Sequence, residues 1–161
     1  MKTLWLLVGP KGAGKTHIGT VIDHHTDIYF LPVELIWVRH LSPGGAAEQG
    51  WAVVVQAIAI AFQAHDAVMI ETLGAGGGFD AFHQTLQQHY VIQYIRVQAD
   101  PEVCLARVER RSEADHIPVS LEQVRQYNAI AAQVSYPWHL VITNTPPLSE
   151  AEIVAAIKSV L

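Results

Sequence analysis

Apolar runs of strand length recur along the chain, and most are followed by a glycine turn or a segment with helical spacing. Residues 3–8 are apolar almost throughout, as a central parallel strand buried on both faces requires. Residues 15–25 predict the first helix. Residues 27–33 predict a second strand centred on Ile28-Tyr29-Phe30-Leu31, and Pro32 ends it or places it on an edge, because proline brings no N–H to a ladder. Glu34 and the run 35–40 follow, then a loop or helix-start signal at 42–45 and a long helical region from about 46 to 64. Residues 66–71 predict a strand ending in Glu71-Thr72, and the glycine-rich stretch 73–78 sits at its carboxyl end. A helix with Phe79, Phe82 and Leu86 comes next, then a strand over 90–97. Asp100-Pro101 reads as an N-cap followed by proline at the first helical position. That helix runs into Arg107, Arg110 and Arg111. The polar segment 112–119 predicts a loop, Ser120 with Gln123 a capping-box helix through Val134, 138–143 the last strand, and Ser149 with Glu152 a capped closing helix to about Leu161.

Strands alternating with helices predict an α/β fold in three layers, a mainly five-stranded parallel sheet with helices on both faces. Right-handed crossovers bring the carboxyl ends of all strands to one edge, where ligands bind. The stretch 9–16, Glu34, Glu71 with its glycine run, and Asn144 all fall at such ends. No repeat or linker interrupts the 161 residues, which predicts one domain.

Composition narrows the class. Half the residues are apolar and 16% are charged, which excludes a disordered chain. A net charge of −5 argues against a nucleic-acid binder. The lone cysteine, Cys104, excludes an internal disulfide and reads as a core residue. The most apolar region, 51–70, is broken by Gln56, Gln63, His65 and Asp66, so no membrane span is expected. The N-terminus opens on a strand and a glycine loop rather than a leader, and the expected location is cytoplasmic. The nine histidines lack metal-site spacings, with His116 the one placed near the chemistry. The tryptophans read as core, Trp37 being also placed to wall an acceptor pocket.

Gly9-Pro10-Lys11-Gly12-Ala13-Gly14-Lys15-Thr16 fits G-x-x-x-x-G-K-[ST], the P-loop pattern, between a strand and a helix that continues with His17. Glycines let backbone N–H groups turn inward around phosphate oxygens, and the helix N-terminus adds its positive dipole end. Lys15 would meet the β- and γ-phosphates, and the Thr16 hydroxyl would bind Mg²⁺. Arg107, Arg110 and Arg111, at i, i+3 and i+4 of one helix, form a cationic cluster able to neutralise a transferring phosphoryl group or to pair with Glu102, Glu109 or Glu113. The strand 138–143 ends in Asn144-Thr145 before two prolines, where a loop can pack on adenine. No Lys or Asp follows to make the Asn-Lys-x-Asp guanine reader.

On these residues the whole chain resembles the P-loop small-molecule and nucleotide kinases, the group of adenylate, shikimate and gluconate kinases, and especially its small AAA-domain ATP-binding proteins. The resemblance rests on the loop 9–16, the arginine-bearing segment 107–119 as a lid, the run Asp115-His116-Ile117-Pro118-Val119, and the terminal strand 138–144. It implies a lid that closes over ATP with Arg107, Arg110 or Arg111 on the phosphates, and Asn144 or Thr145 beside adenine. Where shikimate kinases carry Asp-x-Asp after the second strand, this chain has Glu34, and Glu71 stands where the usual Walker B Asp would.

An acceptor oxygen must align with the γ-phosphorus, and a carboxylate can orient it or take its proton. Glu34 is the first candidate, its alternatives an exposed loop position or an ion pair with Arg39. Glu71 is expected at Mg²⁺, directly or through water, with general base as the alternative. Arg39 would bind an anionic acceptor or lie in solvent, and the Gly76–Gly78 backbone would approach the acceptor closely or form a mobile helix entrance. The expected activity is ATP- and Mg²⁺-dependent phosphoryl transfer to a small molecule or nucleotide. The alternative is a nucleotide-binding regulatory ATPase with no acceptor.

Overall fold

The computed structural model describes residues 2–41, 44–111 and 116–161. Five strands, β1 (Thr3–Val8), β2 (Ile28–Leu31), β3 (Ala67–Thr72), β4 (Val91–Gln98) and β5 (Trp138–Thr143), form one parallel sheet in the order β2-β3-β1-β4-β5. The helices are α1 (Lys15–His25), α2 (Val33–Leu41), α3 (Gly50–Ala64), α4 (Phe79–His89), α5 (Pro101–Arg110), α6 (Leu121–Ala131) and α7 (Glu150–Lys158).

β1 is central, and its side chains divide by parity, as a pleated strand requires. Trp5 and Leu7 join Met69, Ile95 and Ile142 in a cluster that packs on α1 and α7 through Ile18, Ile22, Ile153 and Ile157. Leu4, Leu6 and Val8 join Val68 and Ile70 in a second cluster that packs on α3 and α4 through Val54, Ile58, Phe79 and Leu86. The apolar run in the sequence is therefore consumed by two helix layers, as anticipated. Cys104 is fully buried, also as anticipated.

Some boundaries differ. β2 stops at Leu31, one residue before the donor-less Pro32. Residues 33–41 form a helix, so Glu34 lies in a first helical turn and not in a loop. The region 46–64 is a short 3-10 turn (Ala47–Gln49) followed by α3. α6 ends at Ala131, three residues before Val134, and α7 at Lys158. The caps expected at Asp100, Ser120 and Ser149 all form, the last two as capping boxes. Residues 112–115 of the expected lid, including Asp115, lie outside the described residues.

Candidate active site

The carboxyl ends of β1, β2 and β3 open on a cavity of about 500 Å³, walled by the glycine loop, α2, the start of α3, the 72–77 segment, 116–119 and α6. The loop between β1 and α1 forms the phosphate end. Gly12 and Gly14 adopt the left-handed backbone (φ 84° and 95°) that turns the loop back under itself, and a Cβ on Gly12 would collide with the Cys104 carbonyl. Helix geometry leaves the N–H groups of Lys15, Thr16 and His17 without intrahelical acceptors, so they form the loop's anion-facing set. The His17 side chain itself is exposed.

Lys15 folds over the loop and donates from Nζ to the carbonyls of Gly9 and Pro10, 2.8 Å each. Burial pulls its pKa down to about 8 although Glu71 opposes this. Thr16 Oγ1 donates to Glu71 Oε2 at 2.5 Å. Glu71 is buried, and desolvation pushes its carboxyl above the usual range against the Thr16 bond and the Lys15 charge. Two hard oxygens at the mouth of a phosphate loop suit Mg²⁺, so the residues present fit that ion.

Glu34 is a hub. Its carboxylate meets Lys11 Nζ (3.4 Å), Arg111 Nη2 (3.7 Å), His116 Nδ1 (3.2 Å) and the Ile117 N–H (3.1 Å). Burial pushes its pKa up, but Lys11, the His116 hydrogen bond, Arg111 and the Ile117 amide outweigh it and hold the carboxyl below the usual range. The pairing with Arg39 does not form. Arg39 lies in the last turn of α2, exposed and outside the cavity lining.

The three arginines do not share a face. α5 ends at Arg110, and Arg111 turns to extended backbone (φ −81°, ψ 155°), which lets its side chain reach Glu34. Arg107 donates to the Gly12 carbonyl (3.2 Å) and the Asn144 carbonyl (2.7 Å). Arg110 is exposed and outside the cavity lining. Asn144 is buried beneath the loop: its amide donates to the Ala13 carbonyl at 2.8 Å and its Oδ1 accepts from the Leu148 N–H at 3.0 Å. Thr145 Oγ1 accepts from the Asp100 N–H at 2.7 Å. Both side chains are thus engaged with the fold, and neither lines the cavity.

Three participants lacked a motif. Asn128 of α6 clamps the loop backbone at Lys11, accepting from its N–H at 2.7 Å and donating to its carbonyl at 3.0 Å. An asparagine inside a helix, where it is a poor former, was the available signal. Trp51 and Tyr127 line the cavity with Trp37, and no pattern in the sequence separates them from core aromatics.

No protein-family model matches the chain, and no curated protein matches it. Solved structures do. A sugar kinase from Janibacter sp. superposes with a TM-score of 0.67 at 14% identity, covering 99% of this chain and 94% of that one. Shikimate kinase from Acinetobacter baumannii, in complex with shikimate, gives 0.64 at 17% identity, covering 99% and 92%. The APS kinase of Mycobacterium tuberculosis, in complex with AMPPNP and APS, gives 0.59 at 14% identity, covering 99% and 96%. Over nearly the whole length of both chains, the chain has the three-layer α/β fold of the P-loop small-molecule kinases.

Proposed function

We propose that this chain is an ATP- and Mg²⁺-dependent phosphotransferase that moves the γ-phosphoryl group to the hydroxyl of a small acceptor. One observation carries the reading: the phosphate loop with half-buried Lys15, the Thr16–Glu71 oxygen pair, and an ionised Glu34 all face one cavity.

The loop N–H groups and Lys15 bind the β- and γ-phosphates, with Lys15 leaving the Gly9 and Pro10 carbonyls for phosphate oxygens. Arg107 and Arg111 stand beside the loop and supply positive charge as negative charge spreads over the transferring group. Thr16 and Glu71 would hold Mg²⁺, which when bound neutralises charge on the phosphate oxygens. Glu34, kept ionised, accepts a hydrogen bond from the acceptor hydroxyl and orients it. A loose transition state asks little more of a base. The acceptor oxygen bonds to the γ-phosphorus, the bridging P–O bond breaks with its electron pair leaving on ADP, and the hydroxyl proton passes to Glu34. Asn144 and Asn128 act by bracing the loop from below and from the side.

Lys15→Ala should abolish transfer and weaken ATP binding at least tenfold, measured by calorimetry and ADP release. Retained binding and turnover would refute the assignment. Hydrolysis that no acceptor stimulates would favour a regulatory ATPase instead.

A further inference from the structure

We propose that the acceptor is a neutral, ring-bearing alcohol held against an aromatic wall built around Trp37 and Trp51, not a carboxylated or phosphorylated one. This rests on the phosphotransferase reading and specifies its substrate.

The argument is one of charge. Of the ten lysines and arginines in the sequence, Lys11, Lys15, Arg107 and Arg111 line the cavity. In the phosphotransferase reading each already has a partner: Lys15, Arg107 and Arg111 serve the phosphates, and Lys11 pairs with Glu34 at 3.4 Å. His116 is held by Glu34 too. Beyond them the wall is Val33, Trp37, Trp51, Leu73, Ile117 and Tyr127. Glu34, the carboxylate placed beside the acceptor, would repel an acidic one. A buried anion without a cation costs far more than an apolar ring in the same place.

The two indoles are fixed. Trp37 meets Trp51 edge to face at 5.4 Å, and Trp51 stacks on Phe82 at 4.3 Å. The Trp51 N–H is spent on the Gly77 carbonyl at 3.0 Å, so this ring offers carbon rather than a free donor. A Cβ on Gly50 would collide with Trp37, and one on Gly78 would press on Trp51 at 2.9 Å. Small residues at both positions keep the rings seated against the backbone.

The test is a binding and turnover comparison on the full chain. AMPPNP and Mg²⁺ binding is measured first by calorimetry. Matched acceptors follow by ligand-observed NMR: benzyl alcohol against 4-(hydroxymethyl)benzoate, and cyclohexylmethanol against its 4-carboxylate. The neutral member of each pair should bind at least tenfold more tightly, and ATP turnover should show the same order. Trp37→Ala and Trp51→Ala should each weaken it at least fivefold with AMPPNP affinity unchanged. Should those variants fail to fold, Ile130→Lys decides: Ile130 lines the cavity from α6 and is 50% exposed, so an added ammonium is tolerated and should shift preference toward the carboxylate. Equal or tighter binding of the acids, or no binding of either neutral alcohol to the AMPPNP complex, overturns the inference alone. Absence of AMPPNP binding overturns the phosphotransferase reading and this inference with it.

Discussion

Lys15 shows how one residue's environment can set a pH response. Its pKa is lowered to about 8 by burial, and a bound polyphosphate would raise it again by adding opposite charge. Below pH 8 the ammonium is present and ready for phosphate. Above it Lys15 loses its proton, and phosphate binding must take one up. ATP affinity should therefore fall as pH rises through about 8, with proton uptake on binding that calorimetry in buffers of different ionisation enthalpy detects. A flat profile from pH 7 to 9 would contradict this. Lys15 and Thr16 are legible in the sequence because the P-loop fixes them by spacing; the Lys15 bonds to the Gly9 and Pro10 carbonyls are not, since they are made through a side-chain conformation.

At the scale of elements, Glu34 ties α2 to the glycine loop through Lys11, to Arg111 at the end of α5, and to His116 and Ile117. Its folded-state pKa is depressed, so its stabilisation is complete above the ordinary glutamate range and is lost as pH falls through the lower folded value. Acid should loosen 116–119 before the sheet, seen as faster hydrogen exchange there than in β1, and Glu34→Gln should do the same at neutral pH. α6 is tied to the loop by Asn128. Asn128→Ala leaves two loop backbone groups without partners, at a cost of about 1–3 kcal/mol, and should lower Tm by several degrees and weaken nucleotide binding. The caps were readable from local sequence because Ser120 with Gln123 and Ser149 with Glu152 bond within one turn. The helix at 33–41 was not: its apolar run suits strand and helix alike, and packing against α3 decides it.

For the molecule as a whole, stability lies in the two layers around the sheet. Ile95→Ala, at a fully buried position of β4, should cost about 2–5 kcal/mol by opening a cavity. Val141→Ala, on the outer strand β5 and 48% exposed, should cost far less. Urea unfolding midpoints distinguish them, and equal costs would mean that the core does not sit between sheet and helices as described. No helix among the described residues is long and apolar enough to cross a membrane.

Short-range chemistry was settled by the chain's own order: the phosphate loop by its glycines, the strands by unbroken apolar runs, the helix starts by side chains that bond to their own first turn. What folding alone decided was which distant groups meet. Glu34 faces Lys11, Arg111 and His116 rather than Arg39, Arg107 parts from Arg110, and Trp37 and Trp51 close one pocket although they lie 14 positions apart. Those outcomes depend on helix ends and crossovers that bring remote segments within a few ångströms. A spacing rule reads neighbours along a helix or strand; it carries no information about a partner that packing brings in from elsewhere.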